Sequence, residues 1–209
     1  MTKTPIAVLF SGRGSNLKAL IDAAAAPDYP ARIVLAATDK PGAGGLALAA
    51  DAGIPVAVVD RKAYADRAAF EAALDETVRA SGAELICLAG FMRILSGTFV
   101  AAWAGAILNI HPSLLPAFRG LDTHARALAA GAKIAGVTVH IVTEALDDGP
   151  ILAQAAVAVR PDDTPETLAE RTLAAEHRLY PAALAQHLAP RAPGTFGETL
   201  FSPPLPDEG

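Results

Sequence analysis

The chain has 209 residues, a formal net charge of -5 and 52% hydrophobic residues, which suits one domain with a substantial core. No apolar run approaches the ~20 residues of a membrane span, and the scattered basic residues argue against a nucleic-acid footprint. The single cysteine, Cys87, rules out an intramolecular disulfide and a cysteine-rich zinc site; in Leu85-Ile86-Cys87-Leu88 it reads as a small buried hydrophobe.

Met1-Thr2-Lys3-Thr4 leads straight into an apolar stretch with no signal-peptide pattern, so a cytoplasmic location is expected. Ile6 to Phe10 reads as a buried strand, followed by a Gly-rich turn. Ser15 or Asn16 would then cap a helix with Leu17, Leu20 and Ile21 on one face. Ile33 to Ala37 and Val56 to Val59 read as strands, with a short helix from Gly45 to Ala52 between them. Tyr64 to Ala80 is amphipathic, with Phe70, Leu74 and Val78 at helical spacing, and Leu85 to Leu88 and Ile107 to Ile110 are further strands. Strands apolar throughout, alternating with helices, predict a parallel sheet covered on both faces.

The pattern changes after residue 130. Val137, Val139 and Ile141 alternate with Thr138, His140 and Val142, and Ile151 to Val159 reads as another strand. The connection from Thr143 to Pro150 is too short for a crossover helix, so the pair is expected to be an antiparallel hairpin. Thr164 caps a long helix with Pro165 in the first position and Glu166 in the first turn, running to about His187. Pro181 predicts a kink. The expected fold is therefore α/β: a Rossmann-like open, mostly parallel twisted sheet of about seven strands, with helices on both faces and a C-terminal antiparallel hairpin. Residues 1–188 are expected to form a single domain and 189–209 a Pro-rich, flexible tail.

Two places carry chemistry. Ser11-Gly12-Arg13-Gly14-Ser15-Asn16 joins the first strand to the first helix, and reads equally as a phosphate cradle or as a tight turn. It lacks the third glycine of a dinucleotide fingerprint, because Leu17 stands there, and no P-loop Gly-Lys follows; a monophosphate fits better. In Leu108-Asn109-Ile110-His111-Pro112, Asn109 and His111 are two apart and share one side of a strand that Pro112 ends. In an open α/β sheet the carboxyl end of a strand is where ligands bind. A third member, in Leu146-Asp147-Asp148-Gly149-Pro150, would place a carboxylate near His111, although the same residues also suit a solvated Asp-Gly turn. His124, His140, His177 and His187 show no compact ligand spacing, so no metal is expected.

Four segments in this order resemble the phosphoribosylglycinamide formyltransferase family of folate-dependent enzymes: Ser11 to Leu17, Ala89-Gly90-Phe91-Met92-Arg93-Ile94-Leu95, Asn109 to Pro116, and Leu146 to Pro150. The resemblance covers roughly residues 5 to 187. The second and third segments specify folate formyltransferases in general, and the Gly-Ser-Asn turn narrows the substrate. The resemblance implies transfer of the formyl group of 10-formyltetrahydrofolate to the amine of 5-phosphoribosylglycinamide, by a monomer or homodimer without metal, nucleic-acid or membrane partner. It assigns Asn109, His111 and Asp147 to catalysis, Gly14, Ser15 and Asn16 to the substrate phosphate, and Glu176 to the ribose. Arg67, Met92, Arg93, Ile94 and Leu95, together with Asn109 and the loop Thr143, Glu144, Ala145, Leu146 and Asp147, would meet the folate. Thr138 and His140 would stand behind the catalytic groups.

Rival readings are a 10-formyltetrahydrofolate hydrolase, which shares the catalytic trio but usually carries a further N-terminal domain, and a methionyl-tRNA formyltransferase, which needs a C-terminal domain and a basic surface. A nucleotide-binding module without chemistry is opposed by the intact Asn109, His111 and Asp147.

Overall fold

Ile6, Val8 and Phe10 point to one side of the sheet and Ala7 and Leu9 to the other, and all five are at most 1% exposed. Alternation along a strand puts neighbours on opposite faces, so a strand apolar at every position must be covered twice. The computed structural model describes residues 2–189; apart from Ala189, the expected Pro-rich tail lies outside the described residues.

The elements run β1 (Thr4–Phe10), α1 (Ser15–Ala24), β2 (Ala31–Thr38), α2 (Gly45–Asp51), β3 (Val56–Val58), α3 (Arg67–Ala80), β4 (Leu85–Leu88), α4 (Gly97–Ala102), β5 (Ile107–His111), α5 (Thr123–Ala129), β6 (Ile134–Ile141), β7 (Ile151–Ala158) and α6 (Pro165–Leu188). The sheet has seven strands in the order β3-β2-β1-β4-β5-β6-β7. Pairing is parallel from β3 to β5 and antiparallel at β5–β6 and β6–β7. The chain reverses its direction of travel across the sheet between β1 and β4, which makes the carboxyl ends of those strands the natural ligand crevice.

One face is covered by α1, α2 and α6 through Leu17, Leu20, Ala49, Leu179, Tyr180 and Leu184; the other by α3 and α4 through Phe70, Leu74, Val78, Phe99 and Val100. Phe70, Leu74 and Val78 are the helical stripe read from the sequence, each contributing about 1.5–3 kcal/mol by burial. The helix begins at Arg67 rather than Tyr64, because the Asp66 side chain accepts from Ala69 N and caps it there, after a 3-10 turn at Arg61–Ala63. The expected β6–β7 hairpin is present. Its turn requires Gly149, where a Cβ would lie 1.7 Å from the Ile141 carbonyl oxygen.

The cap of α1 differs from expectation. Gly14, not Ser15 or Asn16, is the N-cap, at φ 81 and with no side-chain cap. A Cβ at Gly14 would meet Gly45 Cα at 2.6 Å, so both conformation and space demand glycine. α6 begins as read, with Thr164 and Thr167 bonded reciprocally at its start, and continues unbroken through Pro181. α4 and α5, of six and seven residues, were not anticipated, although α2, of seven residues, was.

Candidate active site

Leu108 and Ile110 face the α1–α6 layer, as do Val137 and Val139 across the strand pair. Their alternates, Asn109, His111, Thr138 and His140, therefore project together from the other side. Antiparallel register sets Asn109 opposite His140 and His111 opposite Thr138. Asn109 Nδ2 lies 3.2 Å from His140 Nε2, and His140 Nδ1 lies 3.0 Å from the Ile141 carbonyl oxygen. The carbonyl only accepts, so the proton of His140 sits on Nδ1 and Nε2 accepts from the Asn109 amide. Burial pushes the pKa of His140 below its usual value, the Ile141 carbonyl and Asp147 opposing in part; the ring is neutral and fixes which end of the Asn109 amide faces it.

Thr138 commits its hydroxyl to the chain after His111 and to Gln154 rather than to the trio. Its hydroxyl donates to Ser113 O at 2.7 Å and accepts from Leu115 N at 3.0 Å and Gln154 Nε2 at 2.9 Å. It thereby fixes the turn that follows His111.

Asp147 is brought to His111 by the loop between β6 and β7. Its Oδ2 is 3.3 Å from His111 Nδ1, and the two side chains are 7% and 8% exposed. Asp147 adopts φ 50, a left-handed conformation that aspartate tolerates better than most residues. Gly120 N donates to the same Oδ2 at 2.9 Å. On the other side of the ring, His111 Nε2 is 3.1 Å from the Phe118 carbonyl oxygen. Each ring nitrogen thus faces an acceptor, an arrangement satisfied in full by the doubly protonated ring. The Arg119–Asp148 ion pair ties the same two loops at their exposed edge.

The Gly-rich turn opens the second part of the site. With Gly14 as a bare cap, the first N–H groups of α1 have no side-chain partner and point out of the helix end, the usual setting for an anion. Asn16 is buried, and its Nδ2 donates to Glu176 Oε2 at 2.6 Å across 160 positions of sequence. Glu176 reaches it because Thr172, Glu176 and Tyr180 lie on one buried stripe of α6. Burial pushes the Glu176 carboxyl up, and the Asn16 hydrogen bond opposes this in part. The Tyr180 hydroxyl, 3.1 Å from the carbonyl oxygens of Leu88 and Leu108, pins α6 to β4 and β5 just before Asn109.

The residues expected to meet the folate divide. Met92 and Ile94 are 62% and 67% exposed, and Leu146 on the facing loop 51%, an open apolar margin beside the catalytic groups. Glu144 lies against Gly97, where a Cβ would be 2.8 Å from Oε1. Leu95 is buried in the core and presents backbone only. Arg67 is paired with Glu71 at 2.8 Å, and Glu71 also accepts from Ser96 N at 2.9 Å, so Arg67 adjoins this loop. Arg93 Nε donates to Asp39 Oδ2 at 2.6 Å, and the partly exposed side chain lines a cavity of about 590 Å³ with Arg13, Asp39, Lys40 and Lys62. Glu71, Asp39 and the Phe118 carbonyl were not foreseen. Asp39, an acid directly after a buried strand, was the one the sequence could have flagged.

Among the described residues, no group of three or more His, Cys, Asp or Glu side chains is placed to hold a metal ion, and no helix is long and apolar enough to cross a membrane. Residues 4–184 match the formyl transferase family. The chain is 43% identical over 182 residues to the phosphoribosylglycinamide formyltransferase of Bacillus subtilis, covering 87% of this chain and 93% of that one. It is 53% identical over 182 residues to the trifunctional purine biosynthetic protein adenosine-3 of Gallus gallus, and there spans 87% of itself but only 18% of that protein's length. The crystal structure of phosphoribosylglycinamide formyltransferase from Brucella melitensis superposes with a TM-score of 0.87 at 55% identity, over 91% of this chain and 98% of that one.

Proposed function

We infer function from the premise that the chain belongs to the formyl transferase family, among its phosphoribosylglycinamide formyltransferases. On that reading it moves the formyl group of 10-formyltetrahydrofolate to the amine of 5-phosphoribosylglycinamide, yielding the N-formyl ribonucleotide and tetrahydrofolate in purine synthesis. Residues 1–188 act as one catalytic domain in the cytoplasm, as a monomer or homodimer.

The observation that carries this reading is the cluster of Asn109, His111, Asp147 and His140 at the end of β5. A helix start suited to a phosphate follows β1, and an open apolar margin suited to a pterin follows β4, the strand between β1 and β5 in the sheet. The phosphate rests on the N–H groups of Gly14, Ser15 and Asn16, and Glu176 receives the ribose hydroxyls. Met92, Ile94, Arg67 and the loop 143–147 hold the folate. The amine attacks the formyl carbon and the carbonyl oxygen becomes an oxyanion. Asn109 Nδ2 and protonated His111 donate to that oxygen, which takes the acceptor position now filled on Nε2 by the Phe118 carbonyl. Asp147 holds the charge on His111 and relays, through water, the proton leaving the amine towards N10 of the folate. The leaving group is a protonated amine, so the step calls for no metal.

One assay tests this: deformylation of 10-formyltetrahydrofolate with and without the ribonucleotide. Dependence on the ribonucleotide is expected. Turnover without it would make the chain a hydrolase, and no turnover under either condition would refute catalysis.

A further inference from the structure

Asp39 follows β2, makes no part of the groups assigned to either substrate, and has a side chain that is 0% exposed. Both of its oxygens are engaged: Oδ1 accepts from Ser11 Oγ and Oδ2 from Arg93 Nε, each at 2.6 Å. With its proton committed to Asp39, Ser11 Oγ has only lone pairs left, and one of them accepts from Met92 N at 2.9 Å. Ser11 N in turn donates to the Gly90 carbonyl at 3.1 Å. One buried charge thus joins the ends of β1 and β2 to the segment after β4.

That segment needs such an anchor. Met92 to Leu95 belong to neither strand nor helix, so no ladder of backbone bonds holds them. Arg93, 41% exposed, reaches the buried carboxylate through Nε, and its neighbours Met92 and Ile94 stay open to solvent.

Resting on the function proposed above, we propose that Asp39 is a positioning residue for folate binding: it touches neither substrate, but holds Met92–Leu95 in the conformation that receives the co-substrate. The charge is what matters. An asparagine at this place offers one acceptor oxygen where two donors must be met, and its NH₂ would confront either Arg93 Nε–H or the Ser11 proton. The partners are unequal in a useful way. Arg93 is 41% exposed and returns to water when released, so Asp39→Asn leaves no buried charge behind, whereas losing Arg93 would leave the carboxylate buried without a countercharge.

The experiment is steady-state kinetics of Asp39→Asn with each substrate varied in turn, beside tetrahydrofolate binding and a thermal melt. The KM for 10-formyltetrahydrofolate and the Kd for tetrahydrofolate should rise about tenfold, while kcat and the ribonucleotide KM stay within about threefold. Ser11→Ala should raise the same KM. The double variant should exceed the larger single effect by no more than about twofold, because both act through Met92. A merely structural Asp39 would lower the amount of active enzyme, reducing apparent kcat with both KM values unchanged; that result overturns the proposal. So does a rise confined to the ribonucleotide KM. Should Asp39→Asn not fold, Ser11→Ala decides alone, and an unchanged folate KM there is fatal. Wild-type enzyme lacking ribonucleotide-dependent transfer refutes the function itself; wild-type transfer with an unaltered folate KM in the variant refutes only the role of Asp39.

Discussion

Replacing Asp147 with asparagine removes a full charge where water cannot make good the loss. His111 and Asp147 are 8% and 7% exposed and their facing atoms are 3.3 Å apart. At that separation two unit charges attract by about 5 kcal/mol at an effective dielectric of about 20, against about 1.3 kcal/mol in bulk water. The amide keeps the shape and one acceptor, for Gly120 N or for His111 Nδ1, so part of this survives. A net loss of about 3 kcal/mol from the transition state is expected, or about 150-fold in kcat. The assay follows ribonucleotide-dependent deformylation of 10-formyltetrahydrofolate with both substrates saturating. KM values should move far less than kcat. Asp148→Asn is the control: Asp148 is 46% exposed beside Arg119, and its removal should change kcat by no more than about twofold. A loss in Asp147→Asn below about fivefold, or an equal loss in both variants, would mean that the buried charge pair is not used in the transition state.

Asn109→Ala removes an oxyanion donor and should lower kcat by about 100- to 1,000-fold with little change in folate KM, measured in the same assay. Replacing Ser15 and Asn16 together with leucine should raise the ribonucleotide KM and leave tetrahydrofolate binding intact; a change in folate Kd instead would mean that the two ligands are placed backwards. Glu176 has a pH signature. Burial holds its carboxyl above the ordinary value of 4.5, so above that pH the folded chain retains a proton that the unfolded chain has lost. Its contribution to stability therefore falls as pH rises through the interval between the two pKa values. Glu176→Gln should flatten the dependence of melting temperature on pH over that interval while raising the ribonucleotide KM; an unchanged slope would show that the group is not protonated there. Gly149→Ala would put a Cβ 1.7 Å from the Ile141 carbonyl oxygen. The hairpin turn must then open, for about 3 kcal/mol and a melting temperature about 6–12 °C lower, read by thermal denaturation.

The parts legible in the sequence are those governed by neighbours along the chain. The runs at Ile6, Ile33, Leu85 and Ile107 announce buried strands, and Thr164-Pro165-Glu166 announces the start of α6, because periodicity and capping act over a few residues. Asn109 and His111 are visible as a same-side pair for the same reason. The reading of Ser15 or Asn16 as a cap failed because the turn is shaped from outside: Gly45 crowds Gly14, which admits only glycine at a left-handed φ.

Position along the chain says much less about which groups meet. Asn109 finds His140, and His111 lies across from Thr138, through strand register, and a slip of one residue would turn every one of these side chains to the other face. Asp147 reaches His111 only because a loop closes over Gly149 and places it at φ 50. Asn16 meets Glu176 across 160 positions because α6 packs its buried stripe over the start of α1. Arg93 belongs by its motif to the folate loop, yet its side chain turns to a buried carboxylate from β2. Local propensity and periodicity suffice to name the elements and their buried faces. The pairing of charges and donors that does the chemistry depends on how those elements are laid against one another, and no residue encodes that alone.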